Sequence, residues 1–212
     1  MADYKKPEHW QIKARKEGYP ARSVYKLKEI DEKFGIFKAP RLQSSRNIRI
    51  LDIGAAPGSW SLYVLRKFAA NNPAKCCLVA ADLNPLSREF DNGLFDGSNF
   101  HFIQGDITET PIREVILSKS PYSVIISDVA PSTTGNHMVD SARSLDLAET
   151  VIEYAQNALA PGGNLAVKIF QGSGTDTLLK RIKTLFKTAK SFKPEACRGE
   201  SVETYFIGLE KR

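Results

Sequence analysis

The feature that most constrains the fold is a rhythm that starts at residue 48. Short apolar runs alternate with amphipathic stretches, and several of the runs end in an acid. Ile48–Ile53 reads as a strand of buried type and Ser59–Phe68 as a helix. Leu78–Leu83, Phe100–Ile103 and Ser123–Ser127 read as further strands. Ser141–Ala160 reads as a long amphipathic helix closed by Pro161-Gly162-Gly163. Leu165–Phe170 is then a strand, Thr175–Lys187 a helix and Tyr205–Leu209 a final strand. Strands alternating with helices predict an α/β fold, a mostly parallel sheet with helices on both faces. In such a sheet ligands bind beyond the carboxyl ends of the strands, where the strand order reverses. The loops after the strands should therefore carry the chemistry.

Before this core lies a different kind of sequence. Residues 1–20 are polar and broken by Pro7, Gly18 and Pro20, and read as an arm. Ser23 is placed to cap a helix running to about Phe34, with Val24, Leu27 and Ile30 on its apolar face. Residues 38–47 form a polar connector. The expected division is a basic arm and helix, 1–45, packed on a core domain, 46–212.

Charge sharpens that division. Residues 1–49 hold 13 Lys/Arg and 6 Asp/Glu, residues 50–172 hold 8 and 13, and residues 173–212 hold 9 and 5. Basic ends around an acidic middle suggest a polyanion gripped by the ends. The three cysteines, an adjacent pair at Cys76 and Cys77 and a distant Cys197, do not make a disulfide framework. His9, His101 and His137 share no ligand spacing with one another or with the cysteines, so no metal is expected. With no long apolar stretch and a charged N-terminus, the expectation is a monomeric cytoplasmic protein away from membranes.

The first strand runs into Asp52-Ile53-Gly54-Ala55-Ala56-Pro57-Gly58-Ser59-Trp60. Small residues let the backbone pass close to a ligand, and the helix that follows offers free N–H groups. Pro57 removes a donor, and the carboxylate of Asp52 stands at the strand end, which disfavours a pyrophosphate. Acids recur at the next strand ends: Asp82 after the second, placed to accept ribose hydroxyls, Asp106 after the third, placed to accept an adenine amine, and Asp128 after the fourth. Any one could be a turn former. Together they line one cleft and describe a site for an adenosine carrying positive charge, S-adenosyl-L-methionine.

These residues resemble the FtsJ/RrmJ family of ribose 2′-O-methyltransferases, whose members act on large-subunit ribosomal RNA. The resemblance is carried by SVYKLKEID (Ser23–Asp31), LDIGAAPGSW (Leu51–Trp60), FIQGDITE (Phe102–Glu109), SDVAPSTTG (Ser127–Gly135), LAPGGNLAVKIFQGSG (Leu159–Gly174) and KPEACRGESVETY (Lys193–Tyr205). Ser59 departs from it, since the family often has glycine there, and the insert Glu89–Asn99 is long. The resemblance implies a Rossmann-like class I S-adenosylmethionine-dependent fold with seven strands. It implies a catalytic tetrad at Lys26, Asp128, Lys168 and Glu203. It implies cofactor contacts at Gly58, Trp60, Asp82, Asp106 and Asp128; the loop reading adds Asp52 and Gly54. The substrate it implies is a ribose, on a uridine, in 23S ribosomal RNA within the large subunit.

Methyl transfer to a ribose hydroxyl needs the nucleophile aimed and its proton removed. Lys168 interrupts the apolar run LAVKIF, where an unpaired lysine is almost never found. It is the expected base, with Lys26 supplying a cation that lowers its pKa and Asp128 holding it in place. Glu203 could fix Lys26 or the ribose. Sequence does not identify which group takes the proton. Lys5, Lys6, Lys13, Arg15, Lys16 and Arg22, interleaved with Tyr4, Trp10 and Tyr19, and then Lys180, Arg181, Lys183 and Lys187, are the expected RNA contacts. Alternative readings are a methyltransferase of the same fold acting on tRNA or a cap, and an RNA-binding relative without activity. The intact tetrad argues against the latter.

Overall fold

The computed structural model describes residues 5–38, 48–69, 76–197 and 201–212. In chain order the elements are α1 (Lys5–Lys16), α2 (Val24–Phe34), β1 (Ile48–Ile53), α3 (Ser59–Ala69), β2 (Cys76–Asp82), β3 (Phe100–Gln104), α4 (Thr110–Ser118), β4 (Tyr122–Ser127), α5 (His137–Ala158), β5 (Leu159–Phe170), α6 (Thr175–Leu185), β6 (Phe186–Phe192) and β7 (Glu203–Lys211). One seven-stranded sheet runs β3-β2-β1-β4-β5-β7-β6. The pairs among β1 to β5 are parallel. β7 is antiparallel to both β5 and β6. The order reverses between β1 and β4, so their carboxyl ends open a cleft.

Each face of the sheet buries its own apolar cluster. Ile48, Ile50, Leu78, Ala80, Val124, Ile126 and Ala166 face α1, α2 and α3. Leu51, Ile53, Val79, Ile125, Leu165, Val167 and Ile169 face α4, α5 and α6. This is the period-2 alternation of a strand covered on both sides, which reads as a continuous apolar run. Position 168 falls on the same face as Ala166, so Lys168 is directed toward the side where α2 lies. Tyr205, paired across the ladder with Lys168, shares that face.

The structure corrects several local expectations. Residues 5–16 form a helix, not an arm; Pro7 falls in its first turn, where a missing N–H costs little. Ser23 has helical dihedrals and its hydroxyl makes no cap bond. Helix α5 begins at His137, because the Asn136 side chain accepts from the N–H groups of Met138 and Val139. Pro161-Gly162-Gly163 does not end a helix but bulges within β5: Leu159 pairs with Tyr122 and Asn164 with Val124. The last helix stops at Leu185, and Phe186–Phe192 is an edge strand carrying Lys187 and Lys190. Helix α4 had no counterpart in the sequence reading. The connector at 39–47 and residues 198–200 of the last matching stretch lie outside the described residues.

Candidate active site

The loop after β1 is shaped by what passes against it. Gly54 has φ +75, and a Cβ there would lie 2.6 Å from Val129 Cα, so only glycine lets the β1 and β4 loops touch. That contact sets Asp128, the neighbour of Val129, beside the glycine loop. Gly58 has φ +107, and a Cβ would come within 3.0 Å of the ring of Phe95. Phe95 belongs to the long insert and is stacked on Phe100 with ring centroids 4.7 Å apart. The same insert reaches back: Arg66 donates to the Phe90 carbonyl at 2.8 Å and Arg15 pairs with Glu89 at 2.5 Å. The insert thus ties α1 and α3 to the loop.

The acids of the cleft stand where the strand ends put them. Asp82 accepts the Ala56 N–H at 2.9 Å and the Asn84 N–H at 2.8 Å, holding the glycine loop against β2. Asp106 takes both the N–H and the hydroxyl of Thr108 on Oδ1, at 2.8 and 2.7 Å, which leaves Oδ2 for a ligand donor. Asp52 is fully buried beneath the loop. Its Oδ2 accepts the Ser61 hydroxyl at 2.7 Å, and its Oδ1 has no partner among the described residues. Burial pushes its carboxyl up to about 7, against the Ser61 hydrogen bond. A buried carboxyl oxygen without a partner among the described residues, with Asp82 and Asp128 close enough to act on it, fits a positively charged adenosine ligand and repels a pyrophosphate.

The four predicted catalytic side chains meet. Lys168 Nζ lies 3.1 Å from Asp128 Oδ1 and donates to the Asp128 carbonyl at 2.5 Å. Lys26 Nζ donates to Glu203 Oε2 at 2.8 Å and lies 3.9 Å from Asp128 Oδ1. Both lysine side chains are more than nine-tenths covered, at 8% and 6% exposure. Glu203 reaches the group because β7 runs antiparallel: its first residue pairs with Phe170, the last residue of β5. A fifth member escaped the sequence reading. The Tyr205 hydroxyl donates to Asp128 Oδ1 at 2.5 Å and is fully buried. Its place opposite Lys168 in the ladder was readable once β5 and β7 were paired, but its phenol had no distinguishing pattern.

The charges hold one another. Burial would raise the Asp128 carboxyl, but Lys168 and then Lys26, with the Tyr205 hydrogen bond, bring it below the usual range. Burial works the same way on Glu203, and Lys26 more than reverses it. Burial would lower Lys26, but Asp128 and Glu203 raise it, so Lys26 remains a fixed cation. Tyr205 is pushed up by burial and by Asp128, and stays a neutral donor. Two carboxylates and two lysines meet inside a pocket that water barely reaches.

Trp60 and Tyr19 are both enclosed by the protein. Trp60 is buried, with its indole N–H given to the Ser23 carbonyl at 2.8 Å. Tyr19 is buried under the Arg66 guanidinium, 4.6 Å from its ring, and cannot stack on a base. Trp10 packs on Tyr25 at 4.7 Å, and Lys13 lies over both rings. Tyr4 and the side chains of Lys5 and Lys6 lie outside the described residues. No helix among the described residues is long and apolar enough to cross a membrane.

Comparison with known proteins agrees with this architecture. A family model described as FtsJ-like methyltransferase matches residues 19–211. A ribosomal RNA large subunit methyltransferase E from Treponema denticola is 46% identical over 207 residues, covering 98% of this chain and 96% of that protein. A crystal structure described as a ribosomal RNA methyltransferase from Plasmodium falciparum superposes with a TM-score of 0.72 at 26% identity, covering 91% of this chain and 98% of that one. Human methyltransferase-like protein 13, solved with S-adenosylhomocysteine, shares the fold with a TM-score of 0.58 at 14% identity, over 86% of this chain and 81% of that one. The sheet is thus that of the class I S-adenosylmethionine-dependent methyltransferases, and the chain belongs to the FtsJ-like methyltransferase family.

Proposed function

We propose that the chain methylates the 2′-hydroxyl of a ribose, on a uridine of 23S RNA in the large ribosomal subunit, with S-adenosylmethionine as donor. One observation carries the reading: Lys26, Asp128, Lys168, Glu203 and Tyr205 converge at the ends of β4, β5 and β7, beside the acid-lined glycine loop. The relatives' names supply the substrate class, ribosomal RNA of the large subunit.

Asp82 and Asp106 are the residues to hold the ribose and adenine of the cofactor, with the loop 54–58 between them. When bound there, S-adenosylmethionine supplies an electrophilic methyl carbon on a positive sulfur. Lys168 Nζ, as the neutral amine, takes the proton of the ribose hydroxyl on its lone pair as that oxygen attacks, and becomes the ammonium. Asp128 aims Lys168 by accepting from it twice, once on its carboxylate and once on its carbonyl. Lys26 helps hold Asp128 ionised, and Glu203 holds Lys26 and orients the sugar. Aim of this kind is worth up to about 7–11 kcal/mol, and proton removal about a further 10²–10⁴-fold. Lys13, Lys16 and the basic stretch of α6 are the phosphate contacts.

The test is tritiated methyl transfer to large subunits from a strain lacking this modification, followed by mapping of the labelled nucleotide. One labelled 2′-O-methyluridine is expected. Label on a base, or on tRNA in preference to subunits, would overturn the reading.

A further inference from the structure

Helix α2 brings Lys26 to the cluster, and its first turn is fastened to the first turn of α3. The Ala21 N–H donates to Ser59 Oγ at 2.8 Å, and that hydroxyl donates back to the Ala21 carbonyl at 3.1 Å. The same carbonyl takes the Val24 N–H at 3.4 Å and so opens α2. One residue on, Trp60 Nε1 donates to the Ser23 carbonyl at 2.8 Å. That carbonyl also accepts the amide N–H of Lys26 itself, at 3.0 Å. The Trp60 ring meets the ring of Tyr205 with centroids 5.9 Å apart, and Tyr205 is the hydroxyl donor to Asp128. Ser59 and Trp60 are both buried and immediately follow Gly58 of the glycine loop.

We propose that Ser59 and Trp60 are positioning residues, which set Lys26 against Glu203 and Asp128 and so join the cofactor loop to the catalytic cluster. A shift of the loop must move the first turn of α3, and with it the turn that carries Lys26. Without the Ser59 hydroxyl, the Ala21 N–H loses its partner and the Ala21 carbonyl keeps only the long bond from the Val24 N–H. Without the indole N–H, the carbonyl that starts the Lys26 turn is free to tilt. A displaced Lys26 acts less on two carboxylates that depend on it. The titratable groups facing those carboxylates are Lys26 from α2, Lys168 from β5, Tyr205 from β7, Cys197 from the turn before β7 and Asp52 from β1. Only Lys26 is fastened through Ser59 and Trp60.

The experiment compares wild type, Ser59→Ala, Ser59→Thr and Trp60→Phe. Single-turnover methylation is followed across pH at saturating cofactor and RNA, and the Glu203 and Asp128 carboxyls are titrated by carbon-13 NMR. Ser59→Ala and Trp60→Phe should lower the rate on the order of tenfold, within the range expected for slight misplacement. The cofactor KM should stay close to wild type. The acid limb of the profile should move to higher pH, and the two carboxyls should titrate higher. Ser59→Thr, which keeps a hydroxyl, should restore the rate. A profile scaled down without moving, with unchanged carboxyl titrations, would overturn the proposal and leave a purely structural role. Should Trp60→Phe not fold, the Ala and Thr variants at Ser59 decide alone. The kinetic arm rests on the methyltransferase reading. If wild type transfers no methyl group, that reading fails, while the carboxyl titrations still test the positioning.

Discussion

Replacing Lys26 by methionine removes one charge from a buried cluster and keeps the side-chain volume. Glu203 loses its 2.8 Å partner, and Asp128 loses a cation 3.9 Å away. The two carboxylates are then left with Lys168 as their one lysine neighbour in the cluster. Removing one partner of a buried pair costs about 3–5 kcal/mol, mainly from the charge left behind. The Glu203 side chain is 22% exposed, so water relieves part of this, and the lower end, about 3 kcal/mol, is expected. For a domain of this length that corresponds to a fall in Tm of roughly 6–12 °C. The pH dependence must follow. Asp128 and Glu203 titrate below their ordinary values in the folded protein. The stability they contribute is present above the ordinary carboxyl range and is lost as pH falls through the folded values. In Lys26→Met much of that contribution is already gone, so the loss as pH falls below about 5 should be shallower than in wild type. Urea denaturation at a series of pH values measures both. Lys26→Met combined with Glu203→Leu should regain most of the stability and none of the activity. A single variant within about 0.5 kcal/mol of wild type, the size of an ordinary surface change, would refute the account of a charge-paired, desolvated cluster.

Three further outcomes are expected. Asp52→Asn keeps an acceptor for Ser61 and removes a carboxyl raised from 3.8 to about 7. That carboxyl's contribution is full below the ordinary value and is lost as pH rises through about 7, a swing on the order of 4 kcal/mol. The variant-minus-wild-type stability should therefore rise between pH 4 and 8, and a flat difference would sink the idea. Lys168→Arg should fail to methylate in single turnover, because guanidinium stays protonated; near-normal turnover would make Lys168 an electrostatic anchor and not the base. Neutralising Lys13 and Lys16 together should flatten the salt dependence of RNA affinity by about 0.7–0.9 per lost contact while leaving cofactor affinity unchanged, and an unaltered slope would put the RNA elsewhere.

The elements that reveal themselves in sequence are those whose pattern has one cause. The runs in β1, β2, β4 and β5 are mostly apolar because both faces are covered. Lys168 is conspicuous because it breaks such a run. The strand-end acids are legible because topology brings the carboxyl ends of the parallel strands β1 to β5 to one edge. The misses have competing causes. Helix α1 is signalled by Trp10 and Ala14, one turn apart and both packed on the core, but Pro7 masks it unless it is read as a first-turn residue. Strand β6 carries lysines that protect an edge, and these read equally well as the end of a basic helix. Tyr205 could not be told from an ordinary core tyrosine, since its role depends on Asp128, 77 positions away in the chain.

The place of β7 has a consequence for assembly. β6 pairs with β7 alone, so it can join the sheet only once β7 lies along the edge of β5. Side chains alternate along a strand, and a slip of one position exchanges its faces. Here such a slip would send Tyr205 to the α5 side and bring an aliphatic or hydroxyl side chain under Lys26. The chain would keep a complete sheet and an intact glycine loop, yet it would hold Asp128 without its phenol and Lys26 without its carboxylate. The register that sets Lys168 opposite Tyr205 is therefore what turns a complete sheet into a complete site.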